Sequence, residues 1–161
     1  MGMIGYLQQL PMTQLNSLIA RVDELGGVII HEPFEEEVLD IDKAWHGIHF
    51  LLNGSSFGRK EPYENVILGG TPIGADEGYG PARYLTAEQV NDVSAALAQL
   101  SSDELESRFD PAGLSAESVY PSNSDWNDED DKEYVLSYYT AVADYYRSAA
   151  SKGYGMLLYL L

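Results

Sequence analysis

The feature that most constrains this fold is residues 131–152, which have the pattern of a long amphipathic helix. Acidic residues begin the stretch and Lys152 ends it, as the helix dipole favours, and Gly153 follows as a C-terminal cap. Apolar and aromatic side chains recur at helical spacing on one predicted face: Val135, Tyr138, Val142, Tyr145 and Ala149. Such a face has to be covered by a second layer of structure.

Short apolar segments predict strands at both ends of the chain and in its middle. We predict strands at residues 3–10, 82–85 and 156–161, and a further short one at 28–30. Helical spacing and capping sequences predict further helices at residues 13–25, 39–53, 86–100 and 101–109. The strands do not alternate regularly with the helices, which favours the α+β class. We therefore expect residues 1–161 to form one domain, with a small mixed or antiparallel sheet of N-terminal, central and C-terminal strands covered by several helices.

The balance of charge restricts the possible partners. The chain has 161 residues, and its 9 Lys and Arg against 26 Asp and Glu give a net charge of −17. A field this negative repels phosphate backbones, so nucleic acid is not expected as a partner. The same field favours solubility and steers basic partners toward the protein.

The sequence also bears on the compartment. It contains no cysteine, which excludes disulfides and thiolate chemistry. It has no run of about 18 apolar residues, and its first residues lack the basic segment of a secretory signal. We expect a cytoplasmic protein that does not associate with membranes.

The stretch LDIDKAWHGIHFLLNG, residues 39–54, contains two of the three histidines of the chain. On a single helix, its polar side chains would form one stripe beside an apolar stripe that includes Trp45. The members of the polar stripe are Asp42, His46, His49 and Asn53.

This polar stripe has three interpretations. Two histidines and a carboxylate can form a facial metal triad. A His–Asp pair can act as a general base with its orienting partner. The structural alternative is a boundary face, in which Asp42 hydrogen-bonds His46 or each side chain bonds nearby backbone. One helix rarely supplies a complete metal site, so we expect neither a metal nor another cofactor.

The second candidate is the run GYGPARYL, residues 78–85. Arg83 lies here between Tyr79 and Tyr84 in a chain with few basic residues, and an arginine beside aromatic rings can clamp a carboxylate or phosphate. The structural alternative is that Arg83 pairs internally with Asp or Glu while the tyrosines pack. The complete candidate ligand-binding set is Asp42, His46, His49, Tyr79 and Arg83, and none of them is assigned a catalytic role.

Other motifs give weaker signals. The acidic run 125–131 lacks the glycine and closing glutamate of a calcium loop, so it is predicted to be a solvated loop, with a docking patch for a basic partner as the alternative. The sequence has no nucleophile elbow, phosphate-binding loop or zinc-protease motif.

Several separate stretches occur in the order seen in one known family: MGMIGY, LDIDKAWHGIHFLL, GYGPARYLT, RFDP and YYRSAASKGYGMLLYLL. Together they resemble the YfbM-like family, a bacterial domain of unknown function, over essentially the whole chain. The resemblance implies an α+β single domain in a bacterial cytosolic protein, and it carries over no catalytic or binding residue. Members of that family can carry Asp at the position of His46, which weighs against a mechanism that needs both histidines.

Two hypotheses for function follow. The first is a non-catalytic, soluble interaction or regulatory domain that binds a basic protein, as toxin-neutralising immunity proteins do. The alternative is a small-ligand-binding protein or enzyme with a polar cleft around His49 and Arg83. The second hypothesis requires these two residues to lie within about 15 Å of each other, close enough to contact one ligand.

Overall fold

The computed structural model describes residues 2–25, 32–58 and 60–161. Within these ranges, five strands form one sheet in the order β2-β1-β5-β4-β3: β1 (Gly5–Leu10), β2 (Leu39–Asp40), β3 (Thr71–Asp76), β4 (Pro81–Leu85) and β5 (Gly155–Leu160). The described α-helices are α1 (Met12–Arg21), α2 (Trp45–Asn53), α3 (Ala87–Ala98), α4 (Ser102–Ser107), α5 (Pro111–Ala116) and α6 (Glu129–Ser151). Each pair of neighbouring strands is antiparallel. The predicted α+β class is therefore confirmed.

The sheet is covered on both faces, and side chains of β1, β4 and β5 are divided between two cores. On β5, Leu158 packs into the larger core with α2, α3 and α6, whereas Leu157 packs into a smaller core with Leu15 and Leu18 of α1. In the described part of the chain, no helix combines the length and the apolar character needed to cross a membrane.

Helix α6 forms the predicted long helix at the centre of the larger core. The Asp128 side chain caps its N-terminus by accepting a hydrogen bond from the Asp130 amide. Its buried residues are Val135, Tyr139, Val142, Tyr146 and Ala149. Tyr138 and Tyr145, which were predicted for this face, are only half-buried. The buried tyrosines thus lie one position further along the helix than predicted, and their hydroxyls donate hydrogen bonds to the carbonyls of Leu100 and Val66.

Side chains of α2 and α6 hold segment 63–70, which consists of a 3-10 turn (Tyr63–Val66) and the residues that lead from it to β3. The Tyr146 hydroxyl donates a hydrogen bond of 2.7 Å to the Val66 carbonyl, and the Asn53 side-chain amide donates one of 3.2 Å to the Tyr63 carbonyl. Buried carbonyl groups need such partners where no regular ladder supplies them. The segment therefore depends on side chains that reach it from α2 and α6.

The prediction of one helix over residues 39–53 is wrong in its first half. Leu39 and Asp40 pair with Leu7 and Tyr6 as strand β2. Asp42 has a φ of 46°, in the left-handed region, and it begins a 3-10 turn that ends at Ala44. Sheet pairing thus overrides the helical pattern, and α2 begins only at Trp45.

Three further differences concern short elements. Strand β3 was not predicted, because its sequence is rich in glycine and proline. Helix α5 was not predicted; it begins at Pro111, where the missing N–H of proline costs nothing, after α4 has ended at Ser107. Helix α1 ends earlier than predicted, at Arg21. The predicted strand at residues 28–30 lies outside the described residues. By contrast, the capping box between Thr86 and Gln89 is confirmed.

The hydrogen bond from the Tyr146 hydroxyl to segment 63–70 leads to a prediction about stability. Tyr146→Phe leaves the ring in place and removes the hydroxyl that satisfies the Val66 carbonyl. We expect the free energy of unfolding to fall by about 1–3 kcal/mol, the cost of leaving a buried acceptor unpaired. Urea denaturation measures this, with Tyr79→Phe at an exposed position as the matched control. Equal stability of the two variants would contradict the role given to the Tyr146 hydroxyl.

Candidate functional site

An open cleft of about 720 Å³ lies on the face of the sheet that carries the larger core, against residues of β3, β4 and β5. Strand residues form one side of the cleft, and α2 and two connecting segments form the rest. The side chains used below line it: Trp45, His46, Phe57, Tyr79, Arg83 and Tyr120. Three of the five predicted ligand-binding residues, His46, Tyr79 and Arg83, thus lie around one cavity.

Aromatic rings pack against one another along the wall of the cleft. Trp45 stacks on His46 with ring centroids 4.7 Å apart, and Tyr120 stacks on Trp45 at 5.6 Å. Phe57 continues the row at 5.4 Å from His46. Trp45 is only 4% exposed whereas Phe57 is 67% exposed, so the row runs from the core to the rim.

His46 fastens this wall to two neighbouring segments. Its Nε2 lies 2.8 Å from the Ser56 carbonyl, and its Nδ1 accepts a hydrogen bond of 2.9 Å from the Tyr120 amide. A carbonyl oxygen can only accept, so Nε2 carries the proton and the ring is neutral. Burial lowers the pKa of His46, although the Ser56 carbonyl and the Glu117 carboxylate oppose this effect. Both ring nitrogens are therefore used in positioning the wall.

Tyr79 is presented by the tight turn between β3 and β4. The Asp76 carboxylate accepts hydrogen bonds from the amides of Gly78 at 2.8 Å and Gly80 at 3.0 Å. These glycines have φ values of 128° and 88°, a backbone conformation that residues with a side chain rarely adopt. The turn therefore holds Tyr79 at the rim, where it is 51% exposed.

Arg83 projects from β4 between the sheet and the cleft. Its Nη1 donates hydrogen bonds to the carbonyls of Ile67 at 3.2 Å and Gly69 at 3.1 Å, so this arginine also clamps segment 63–70. Burial lowers the pKa of Arg83. None of the ion pairs among the described residues includes Arg83, so backbone carbonyls take the place of the carboxylate that the structural interpretation expected.

His49 is fully buried, and it is absent from the described residues that line the cleft. Its Nδ1 lies 3.4 Å from the Asn53 side-chain amide, and its Nε2 has no hydrogen-bond partner within the described structure. Burial, followed by His46 and Arg83, lowers the pKa of His49 to about 4. The charge of Arg83 reaches His49, so the two predicted segments are neighbours, but the imidazole lies behind the cleft wall.

Asp42 is separated from both histidines. Its carboxylate accepts a hydrogen bond of 2.7 Å from the Tyr134 hydroxyl. Because the helix begins only after Asp42, the predicted stripe with His46 and His49 does not form. Among residues 2–25, 32–58 and 60–161, no group of three or more His, Asp or Glu side chains is arranged to hold a metal ion.

The sequence interpretation missed Trp45, Phe57 and Tyr120 as members of the cleft. Trp45 was assigned to the buried stripe, where its ring indeed packs, but one edge reaches the cavity. Phe57 follows Ser55 and Ser56 in a stretch of small residues. A large aromatic residue in such a stretch is a signal for exposure that could have been used.

The buried histidines give a pH prediction. The pKa of His49 falls from 6.5 to about 4 on folding, so between these values the unfolded chain binds more protons than the folded chain. Stability is therefore lost as pH falls from about 6.5 toward 4, by about 3 kcal/mol for this residue. We expect His49→Leu to remain folded at pH 7 and to lose less stability than the wild type on acidification. Urea unfolding at several pH values measures the difference, and parallel curves for the two proteins would contradict the assignment.

Comparison with known proteins defines the family. Residues 1–159 match the family described as "Domain of unknown function (DUF1877)". Protein YfbM of Escherichia coli (strain K12) is 29% identical over 128 residues, covering 75% of this chain and 74% of that protein. The crystal structure of YfbM, titled a protein of unknown function, has a TM-score of 0.76 at 21% identity and covers 98% of this chain and 99% of that chain. The predicted YfbM-like membership is confirmed, and the chain belongs to the DUF1877 family.

Proposed function

We propose that this protein is a non-catalytic binding domain whose ligand site is the aromatic cleft. The observation that carries the proposal is the cavity of about 720 Å³ with aromatic side chains on its wall and rim. Ligand sites in proteins have volumes of roughly 300–1,000 Å³ and are mainly apolar, with a few fixed polar groups. This cleft has both properties.

The exposed rim supports binding in particular. Phe57 and Tyr79 are large apolar side chains that are 67% and 51% exposed, and both line the same cavity. Exposing such groups together is unfavourable in water unless a ligand or partner covers them. Their common location favours a site that is filled when the protein works.

The hydrogen bonds of the histidines support binding over catalysis. A general base needs a free nitrogen within hydrogen-bond reach of the substrate proton. Both nitrogens of His46 bond to backbone groups, and His49 lies outside the cavity lining. The enzyme version of the cleft hypothesis therefore has less support than the ligand-binding version.

A basic protein partner is a second candidate, favoured by the net charge of −17. Five of the nine Lys and Arg side chains form ion pairs with Asp or Glu in the described structure: Arg21, Arg108, Lys132, Arg147 and Lys152. The large remainder of acidic groups would attract a basic partner, as in the immunity-like hypothesis.

The cleft proposal is tested with N-phenyl-1-naphthylamine, a neutral probe that fluoresces in apolar sites. We expect saturable binding to the wild type, weakened about tenfold or more in the double variant Phe57→Ala, Tyr79→Ala, because two aromatic contacts are lost. The melting temperature of this variant should stay within a few degrees of the wild type, since both side chains are exposed. Fluorescence titration and thermal denaturation provide the two measurements.

The matched control for this experiment is Ile19→Ala. Ile19 is an exposed apolar residue on α1, and it is not among the residues that line the cleft. The Ile19→Ala variant should bind the probe as tightly as the wild type does. If both variants bind the probe equally well, the cleft is not the ligand site.

The basic-partner candidate has a separate test. Pull-down from bacterial lysate at low salt should recover a basic protein whose retention falls steeply as the salt concentration rises, since exposed charges are screened. A Phe57→Ala, Tyr79→Ala protein should recover it equally if charge alone is responsible. Failure to recover any basic protein at low salt counts against this candidate.

A further inference from the structure

We infer that the cleft binds a small ligand that combines a flat apolar group with a carboxylate, and that Arg83 binds the carboxylate. This inference rests on the proposed function of the cleft. It adds the charge and the chemical class of the ligand, which the cavity volume and the aromatic rim do not determine.

The charge of the residues that line the cavity differs in sign from the net charge of the chain. The chain has 26 Asp and Glu, yet the described residues that line the cleft include none of them. Arg83 is the one charged side chain among those lining residues. In a protein with a net charge of −17, a lining without Asp or Glu is unusual, although the Glu117 carboxylate, which accepts a hydrogen bond from the Ser56 amide, lies close enough to act on His46. The cleft is therefore locally suited to an anion.

The second step is the bonding of the guanidinium. Nη1 of Arg83 uses its two N–H groups on the carbonyls of Ile67 and Gly69. These carbonyls are neutral, so the positive charge is solvated but not neutralised. Burying a cation without a counter-charge is costly, and an anion in the cleft would offset this cost. The free protein thus has a held arginine that lacks a carboxylate partner among the described ion pairs.

The third step selects a carboxylate. With Nη1 occupied, the donors left on Arg83 are those of Nε and Nη2, which form one edge of the planar group. Two parallel donors match the two oxygens of a carboxylate in a bidentate pair. A phosphate monoester carries more negative charge than a carboxylate, so the net charge of −17 opposes its binding more strongly.

The fourth step concerns the apolar part of the ligand. Tyr120 and Trp45 stack along the wall, Phe57 lies tilted against His46 at its outer end, and Tyr79 lies on the rim. Aromatic walls favour flat ligands that can stack on them. An aromatic acid would place its ring against this wall while its carboxylate reaches Arg83.

The test compares 2-naphthoate with 2-naphthamide, which has the same ring and no charge, by isothermal titration calorimetry. We expect the wild type to bind the naphthoate at least about tenfold more tightly, because a bidentate charged pair replaces a neutral contact. The net charge of −17 opposes nonspecific binding of anions, so a preference for the acid has to come from a local group. 2-Naphthyl phosphate is the third ligand, and it should bind more weakly than the naphthoate.

The variant Arg83→Lys keeps the positive charge and removes the planar fork. It should lose most of the preference for the naphthoate over the amide, and the ratio of the two affinities is the readout, because a change in the bonds to Ile67 and Gly69 would alter both affinities. In the wild type, the Arg83 Nε–H resonance should shift on addition of the naphthoate and not of the amide. This second measurement keeps the inference testable if the variant fails to fold. The double variant Phe57→Ala, Tyr79→Ala should bind the naphthoate and the amide more weakly than the wild type, by the same factor.

The outcomes separate the two proposals. Equal binding of naphthoate and naphthamide, lost in the double variant, would overturn the inference and leave the binding function intact. Tighter binding of the naphthyl phosphate would overturn the choice of carboxylate. If neither naphthalene ligand nor the neutral fluorescent probe binds, the proposed function itself fails.

Discussion

The pair of hydrogen bonds from Arg83 to the carbonyls of Ile67 and Gly69 joins strand β4 to segment 63–70. These bonds fix a segment that is not part of the hydrogen-bonded sheet. The Tyr146 hydroxyl fixes the same segment from α6. A guanidinium that is held by neutral carbonyls keeps its charge without a salt bridge. The same interaction therefore stabilises the fold and leaves a positive group on β4, where it lines the cleft.

The cleft is a consequence of how α2 is fastened. His46 bonds to Ser56 on one side and Tyr120 on the other, which brings two connecting segments against the helix and stacks their aromatic residues along it. The opposite side is the β3–β4 hairpin, whose turn is closed by Asp76. Because each side is held by hydrogen bonds within the protein, the cavity is formed before any ligand arrives. Such preorganisation lowers the entropy cost of binding.

The sequence predicted the elements whose signals are local. The helical spacing of apolar residues in α6 and the capping box between Thr86 and Gln89 depend on residues close together in the sequence. Both could therefore be recognised without the structure. Asp42 does not lie on one helix with His46 and His49 as predicted, because Leu39 and Asp40 pair with β1 and α2 begins only at Trp45. That Arg83 bonds to carbonyl groups could not be foreseen, since its partners are set by tertiary packing. Periodicity identifies which residues face inward, but not which polar groups meet there.

The central claim is that Arg83, whose guanidinium is held by two backbone carbonyls, binds the carboxylate of a ligand in the aromatic cleft. A crystal structure of the protein grown with 2-naphthoate tests it most directly. The account predicts density for the ring beside Trp45 and Phe57, with both carboxylate oxygens about 2.7–3.0 Å from Nε and Nη2 of Arg83. It also predicts that the bonds from Nη1 to Ile67 and Gly69 remain unchanged. An empty cleft at saturating naphthoate, or a ligand whose carboxylate points to solvent, would contradict the account.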